Sequence, residues 1–167
     1  HRPMTSPVRI GFKVAPQHVS WERLEAIWRR AADSAAFDSA WLFDHFYPVD
    51  GDGPCFEGMT ALASLIHHVP GLQGGHLVLA NPYRHPALTA KMATTLDHGS
   101  GGRFVLGLGA GWHVPETTAY GMDLDPIGQR LRDLRPAVLV IRRLLEPAAG
   151  EWPRDGSDAA TSGGVSI

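Results

Sequence analysis

Apolar positions along the chain switch repeatedly between two periods. From Val8 to Val14 they alternate, with Val, Ile and Phe among them, and Pro16 closes a first strand. Ser20 then offers a helix cap, after which Trp21, Leu24, Ile27, Trp28, Ala31, Ala32 and Ala35 recur at intervals of three and four. Glu22, Arg23, Arg29, Arg30 and Asp33 fall on the opposite, wet side, so this is an amphipathic helix laid on a sheet. Ala40 to Phe43 is a second strand, apolar on both faces as covered parallel strands are, and it ends at Asp44-His45.

The alternation continues. Gly51, Gly53 and Pro54 mark a loop, and Glu57 to His68 carries Met59, Leu62, Ala63 and Ile66 at helical spacing. Pro70, Gly71, Gly74 and Gly75 close that helix, His76 to Ala80 reads as a third strand, and Asn81-Pro82 breaks it. Pro86 opens a helix through Leu96 that Gly99 ends, and a fourth strand starts at Arg103. Gly128 to Leu145 is helical through Leu131, Leu134, Val138, Ile141 and Leu145, with Pro136 predicting either a kink or a helix that starts near it. From Pro147 to Ile167 the period is lost among Gly, Ala, Ser and Asp, and that tail reads as disordered. Strand and helix alternating in units of about thirty residues predict a parallel α/β fold, either half of a (β/α)₈ barrel or a doubly wound sheet.

Length and composition narrow the partners. The 167 residues make one domain by length, and a 44% hydrophobic content is enough for a core. A net charge of −2 with the two signs interspersed gives no nucleic-acid or anionic-membrane surface, which leaves a small molecule as the expected partner. Cys55 stands alone, so there is no disulfide framework and a reducing compartment fits. No apolar run nears the ~18 residues of a membrane span and no signal-peptide pattern precedes Val8, so the expected location is the cytoplasm. The nine histidines suggest no metal site: the first strand has no His-x-His pair, and His67-His68, adjacent on a helix, point apart.

Candidate chemistry gathers after the fourth strand, in Gly107-Leu108-Gly109-Ala110-Gly111-Trp112 followed by His113-Val114-Pro115-Glu116. A dinucleotide fingerprint needs its third glycine where Trp112 stands and a helix at once, which Pro115 makes awkward. A methyltransferase loop binding S-adenosylmethionine needs an acidic residue and a small one where Gly107 and Trp112 stand. A third reading has Gly107, Gly109 and Gly111 baring backbone to a flat cofactor, with Trp112 and Glu116 aimed at it; a tight turn needing positive φ competes equally with it.

Several stretches in order resemble one family. Phe37-Asp38-Ser39-Ala40-Trp41 with Asp44-His45, Asn81-Pro82-Tyr83-Arg84-His85-Pro86-Ala87 with Ala90-Lys91, Leu96-Asp97 with Ser100 to Phe104, and Gly107 to Trp112 with Glu116 are similar to the luciferase-like monooxygenases and their deazaflavin-dependent relatives. The resemblance runs from about Val8 to Leu145, so residues 1–146 would be the amino-terminal half of such a barrel and 147–167 an unrelated tail. It implies a (β/α)₈ barrel with four further strands lying elsewhere, and a cofactor, coenzyme F420 or flavin mononucleotide (FMN), at the carboxyl ends of the strands. Asp44-His45 tilts the choice to F420.

By the same resemblance Asp44 and His45 would face the ring, His45 taking a proton from a substrate hydroxyl as hydride leaves, which suits imidazole chemistry near neutral pH. Glu116 would steady or protonate the ring. A non-prolyl cis peptide would fall near Val78-Leu79, beneath the ring, and Asn81 would lie at the ring's polar edge. Arg84 and His85 would serve the ring or tie their loop to the next helix. Asp97 and Arg103 would form an ion pair on the stability face of the barrel.

The function that follows is an F420- or FMN-dependent oxidoreductase or monooxygenase acting on a small organic substrate. A competing reading is a non-catalytic half barrel, whose open edges and apolar interior would drive homodimerisation or aggregation.

Overall fold

The computed structural model describes residues 8–34 and 36–146, so the tail from Pro147 lies outside the described residues. Strands β1 (Gly11–Lys13), β2 (Ser39–Leu42), β3 (Gln73–His76) and β5 (Phe104–Val105) form one parallel sheet in the order β1-β2-β3-β5. Two short strands, β4 (Leu79–Ala80) and β6 (Leu108–Gly109), pair in parallel beside it. Helices α1 (Trp21–Ser34), α2 (Gly58–His68) and α3 (Pro86–Ser100) connect successive strands, and α4 (Val114–Ala119) and α5 (Ile127–Leu145) follow β6. This is the alternation expected of the first four β/α units of a barrel.

The core lies between the sheet and the helices. In α1, Leu24, Trp28 and Ala31 are buried at the predicted spacing, and they meet Ala40 and Leu42 of β2 and Ala61, Leu62, Leu65 and Ile66 of α2. Each such side chain taken from water contributes roughly 1.5–3 kcal/mol. Helix ends are secured locally: Ser20 Oγ accepts from the Arg23 N–H at 3.3 Å, and Glu57 caps α2 through the N–H groups of Met59 and Thr60 at 3.0 and 2.7 Å.

Several expected boundaries move. The first strand is confined to Gly11–Lys13 rather than Val8 to Val14. The third begins earlier, at Gln73, because Gly74 and Gly75 belong to it: a Cβ at Gly74 would lie 2.8 Å from Ile66 Cδ1, and one at Gly75 2.6 Å from the Val105 carbonyl oxygen. These glycines make room for packing instead of turning the chain. A cis peptide joins Leu77 to Val78, one position before the one expected, and the strand resumes as β4. α5 starts at Ile127 and runs through Pro136, which lies at an exposed position of the helix. Of the apolar stripe expected on α5, Ile141 is buried whereas Leu131 is 57% exposed.

The expected Asp97–Arg103 ion pair is not formed. The Arg103 guanidinium donates instead to carbonyls at the end of α2 and beyond, Nη2 to Ile66 at 2.5 Å and Nη1 to Leu72 at 2.8 Å, while its Nε bonds the Ser100 carbonyl at 2.8 Å. A cation there satisfies the orphan acceptors of a helix C-terminus, which a partnership with Asp97 would not do.

Gly107 separates β5 from β6 where the backbone of His76 comes closest; a Cβ there would sit 2.2 Å from the His76 carbonyl oxygen. Gly107→Ala is therefore expected to destabilise the fold by about 1–3 kcal/mol through overpacking. Gly99→Ala in α3, where nothing lies within 4 Å, is expected to leave stability unchanged or slightly raised. Urea unfolding of the two variants checks the contrast.

Candidate active site

At the carboxyl ends of the strands a cavity of about 360 Å³ opens, within the range of small-molecule sites. Lys13 at the end of β1, Phe43 and His45 after β2, Leu77 and Val78 between β3 and β4, Gly109 at the end of β6 and Ala110 to Trp112 after it line the cavity. The third strand is split where Leu77 and Val78 form this wall.

One carboxylate organises the wall from behind. Glu116 is fully buried, in the first turn of α4. Its Oε1 lies 2.8 Å from His45 Nδ1 and also accepts the Tyr83 hydroxyl. Its Oε2 accepts the N–H groups of Phe46 at 2.9 Å and Tyr47 at 3.3 Å. Donors converge on a group that accepts, so His45 donates through Nδ1–H and keeps the Nε2 lone pair for the cavity it lines. The His45 ring is held edge-on by Phe43, Trp112 and His113, with centroids 4.8, 5.6 and 5.4 Å away. Its position is thus fixed on several sides.

α4 was not foreseen, since Pro115 argued against an immediate helix. Pro115 occupies the first turn of α4, where no N–H partner is required, and this places Glu116 under His45.

Asp44 reaches the cavity wall, but its carboxylate is directed elsewhere. Arg84 binds it through two nitrogens, Nη1 to Oδ2 at 2.6 Å and Nη2 to Oδ1 at 2.8 Å, and Oδ2 accepts the Ala80 N–H at 2.8 Å. Arg84 Nη2 also pairs with the Glu57 carboxylate that caps α2. Burial works against the Arg84 charge, yet the Asp44 bonds and the Asp44 and Glu57 charges hold its pKa above the ordinary value. Burial likewise raises Glu57, but the bonds from Thr60 and Met59 and the Arg84 charge bring its pKa below the usual carboxylate range. This network locks the end of β2 to the start of α2 and to the turn before α3, with His45 next in sequence. His85 turns out to be a helix residue too: its Nδ1 accepts the Ala87 N–H at 3.2 Å as the cap of α3.

Of the residues expected at the site, Asp44, His45, Val78, Gly109, Gly111 and Trp112 line the cavity. Leu79 and Asn81 lie beside it, in β4 and the 3₁₀ turn Asn81–Tyr83, and Gly107 sits beneath it against His76. Gly111 has φ +73°, so the tight-turn need is real at this position as well. Sequence reading assigned no role to Tyr83, Lys13, Phe43 or His113. Tyr83 and His113 stand in quoted runs, Asn81-Pro82-Tyr83 and His113-Val114-Pro115-Glu116; Lys13 and Phe43 carry no local signal.

Burial works against the charged form of two histidines. His76 is fully buried, and burial holds its pKa below the ordinary value; His113 is lowered by burial and then by the nearby His45. Because the unfolded chain binds these protons more tightly, the stability they carry is present above about pH 6.5 and lost as pH falls toward the folded pKa. Unfolding free energy is therefore expected to drop between pH 7 and 5, by up to about 1.4 kcal/mol per pH unit for each histidine. Chemical denaturation across that range checks this, with His76→Leu expected to flatten the slope. Cys55 offers no nucleophile: burial, and then the Glu116 charge, push its thiol up to about 11.

Residues 7–158 match the family model described as luciferase-like monooxygenase, a match that extends beyond Glu146. An F420-dependent glucose-6-phosphate dehydrogenase of Kineococcus radiotolerans is 32% identical over 142 residues, which are 83% of this chain and 41% of that protein. A 4-hydroxyprotoasukamycin monooxygenase of Streptomyces nodosus subsp. asukaensis is 32% identical over 126 residues, 75% of this chain and 32% of that one. Among solved structures, an F420-dependent secondary alcohol dehydrogenase in complex with an F420-acetone adduct superposes with a TM-score of 0.74 at 22% identity, covering 86% of this chain and 44% of that one. The chain spans less than half the length of these relatives. None of these similarities favours a methyltransferase or a non-catalytic half barrel, and no described helix is long and apolar enough to cross a membrane.

Proposed function

We propose, for a chain that belongs to the luciferase-like monooxygenase family and is of the oxidoreductase type, that its cavity holds coenzyme F420 and that His45 is the base in oxidation of a substrate alcohol. The observation that carries this reading is the His45–Glu116 pair, a ring nitrogen free at a cavity wall with its partner nitrogen anchored at 2.8 Å to a buried carboxylate. Residues 1–146 serve as the amino-terminal half of the catalytic barrel.

The cavity suits a flat heterocycle. Leu77 and Val78 remain 53% and 39% exposed on one wall and Trp112 61% on the other, large apolar surfaces that a ring would cover. Gly109 and Gly111 leave bare backbone between them, and Leu79 and Asn81 lie beside the cavity in β4 and the turn after it. When bound, the deazaflavin supplies a carbon that accepts hydride.

The chain's own residues handle the proton. His45 Nε2 takes it from the substrate hydroxyl as the carbon-bound hydrogen departs, giving a carbonyl product. Glu116 fixes the tautomer that makes Nε2 basic and stabilises the imidazolium that results, without touching substrate itself. Phe43 and Trp112 keep the ring from rotating. F420-dependent glucose-6-phosphate dehydrogenases among the relatives support the F420 reading, while monooxygenases among them keep oxygenation, with FMN, as the alternative.

Titration of the protein with F420 and with FMN, followed by quenching of cofactor fluorescence, tests the reading. Saturable binding of F420 in preference to FMN is expected. Preference for FMN would move the function to oxygenation, and binding of neither would overturn it.

A further inference from the structure

His113 poses a question that the redox reading leaves unanswered. Its side chain is nine-tenths buried, and its Nδ1 has no hydrogen-bond partner although Glu116 Oε2 lies 3.9 Å away. A buried polar atom without a partner is costly, and here it faces a carboxylate at a distance too long for a bond. The other oxygen of that carboxylate holds His45 Nδ1 at 2.8 Å. Donor atoms of His45, His113 and Glu116 all fall within 4.8 Å of one another. Ligand atoms around a tetrahedral zinc, at bond lengths of about 2.0–2.1 Å, stand roughly 3.4 Å apart, inside the 4.8 Å that the three donor atoms span.

We propose that His45, His113 and Glu116 form a divalent transition-metal site, two imidazoles and one carboxylate, whose occupation by Zn²⁺ switches His45 off. Two imidazoles with a carboxylate select such a metal over magnesium or calcium. The site is invisible in sequence because His45 and His113 come from different β/α units and share no ligand spacing. A water completes the coordination behind the His45 ring.

The switch follows from which nitrogen is used. In the metal-free arrangement His45 carries its proton on Nδ1, held by Glu116, and Nε2 has the lone pair. Coordination takes the Nδ1 lone pair, so the single proton of the neutral ring moves to Nε2. That nitrogen then has nothing with which to accept a substrate proton. The inhibition rests on the function proposed above; metal binding itself does not.

Calorimetric titration of the cofactor-free protein with Zn²⁺ separates the two. One equivalent is expected to bind, weakened by more than about tenfold in His113→Gln and unaffected in a His67→Gln, His68→Gln double variant. Absence of saturable binding, or binding that survives His113→Gln, overturns the site. Should His113→Gln fail to fold, Co²⁺ added to unmodified protein decides the matter by histidine NMR: loss of the His45 and His113 signals supports the site, and loss of the His67 and His68 signals alone overturns it. In a second arm, Zn²⁺ is expected to abolish F420-linked turnover and a chelator to restore it. Stoichiometric binding without inhibition would overturn the switch and the base role of His45 while leaving the site standing.

Discussion

His45→Ala is expected to lower F420-linked turnover by about 10²–10⁴-fold while changing cofactor affinity little, since the variant removes the proton acceptor and leaves the apolar walls in place. Glu116→Gln is expected to fall in between. The amide has one acceptor: with its oxygen toward His45 and Tyr83 the NH₂ faces the N–H donors of Phe46 and Tyr47, and with its NH₂ toward His45 and Tyr83 the Nδ1–H bond is lost, so the tautomer of His45 is held less well. Steady-state rates for any alcohol that the unmodified protein oxidises check the pair. A His45→Ala rate within threefold of the unmodified one would remove the base role, and equal losses in kcat for the two variants would mean that they act as one unit.

Arg84→Ala is expected to destabilise the fold by about 3–5 kcal/mol, the largest structural effect foreseen. It leaves the Asp44 carboxylate, whose side chain is fully buried, with only the Ala80 N–H, and removes the bond to the cap of α2. Arg84→Lys is expected to recover part of this at most, because one ammonium cannot reproduce two parallel bonds. Urea denaturation monitored by circular dichroism gives the comparison. A loss below about 1 kcal/mol for Arg84→Ala would show that the Asp44–Arg84–Glu57 network is not what holds the end of β2.

Local structure was legible wherever one face of an element meets a continuous core. α1 is the clearest case: Leu24, Trp28 and Ala31 follow the 3.6-residue period because β2 and α2 cover that stripe along its length. Gly74 and Gly75 misled for the opposite reason. Their meaning depends on Ile66 and Val105, which approach only in the folded state, so a strand looked like a turn. α5 lost most of its expected stripe because it packs on α3 through the narrow face of Ala137 and Ile141, which leaves Leu131 more than half exposed.

The site divides along the same line. His45 and Glu116 were picked out by family resemblance, and the geometry brings their side chains together across 71 positions of sequence. Their division of labour was not legible: Glu116 was expected at the ring and lies behind His45. Asp44 was likewise expected at the ring, while its carboxylate faces Arg84 and its contribution reaches the cavity through the backbone. Tyr83 and His113 act only through contacts between separate β/α units, and such contacts leave no spacing in the chain.

The most direct test of the account is to add F420 to protein labelled with ¹⁵N-histidine and observe the ring nitrogens of His45. The account predicts an Nδ1–H tautomer in the free protein and a shift of the Nε2 resonance on saturation, lost in Glu116→Gln. An Nε2–H tautomer, or an Nε2 resonance that F420 leaves unmoved, would contradict it.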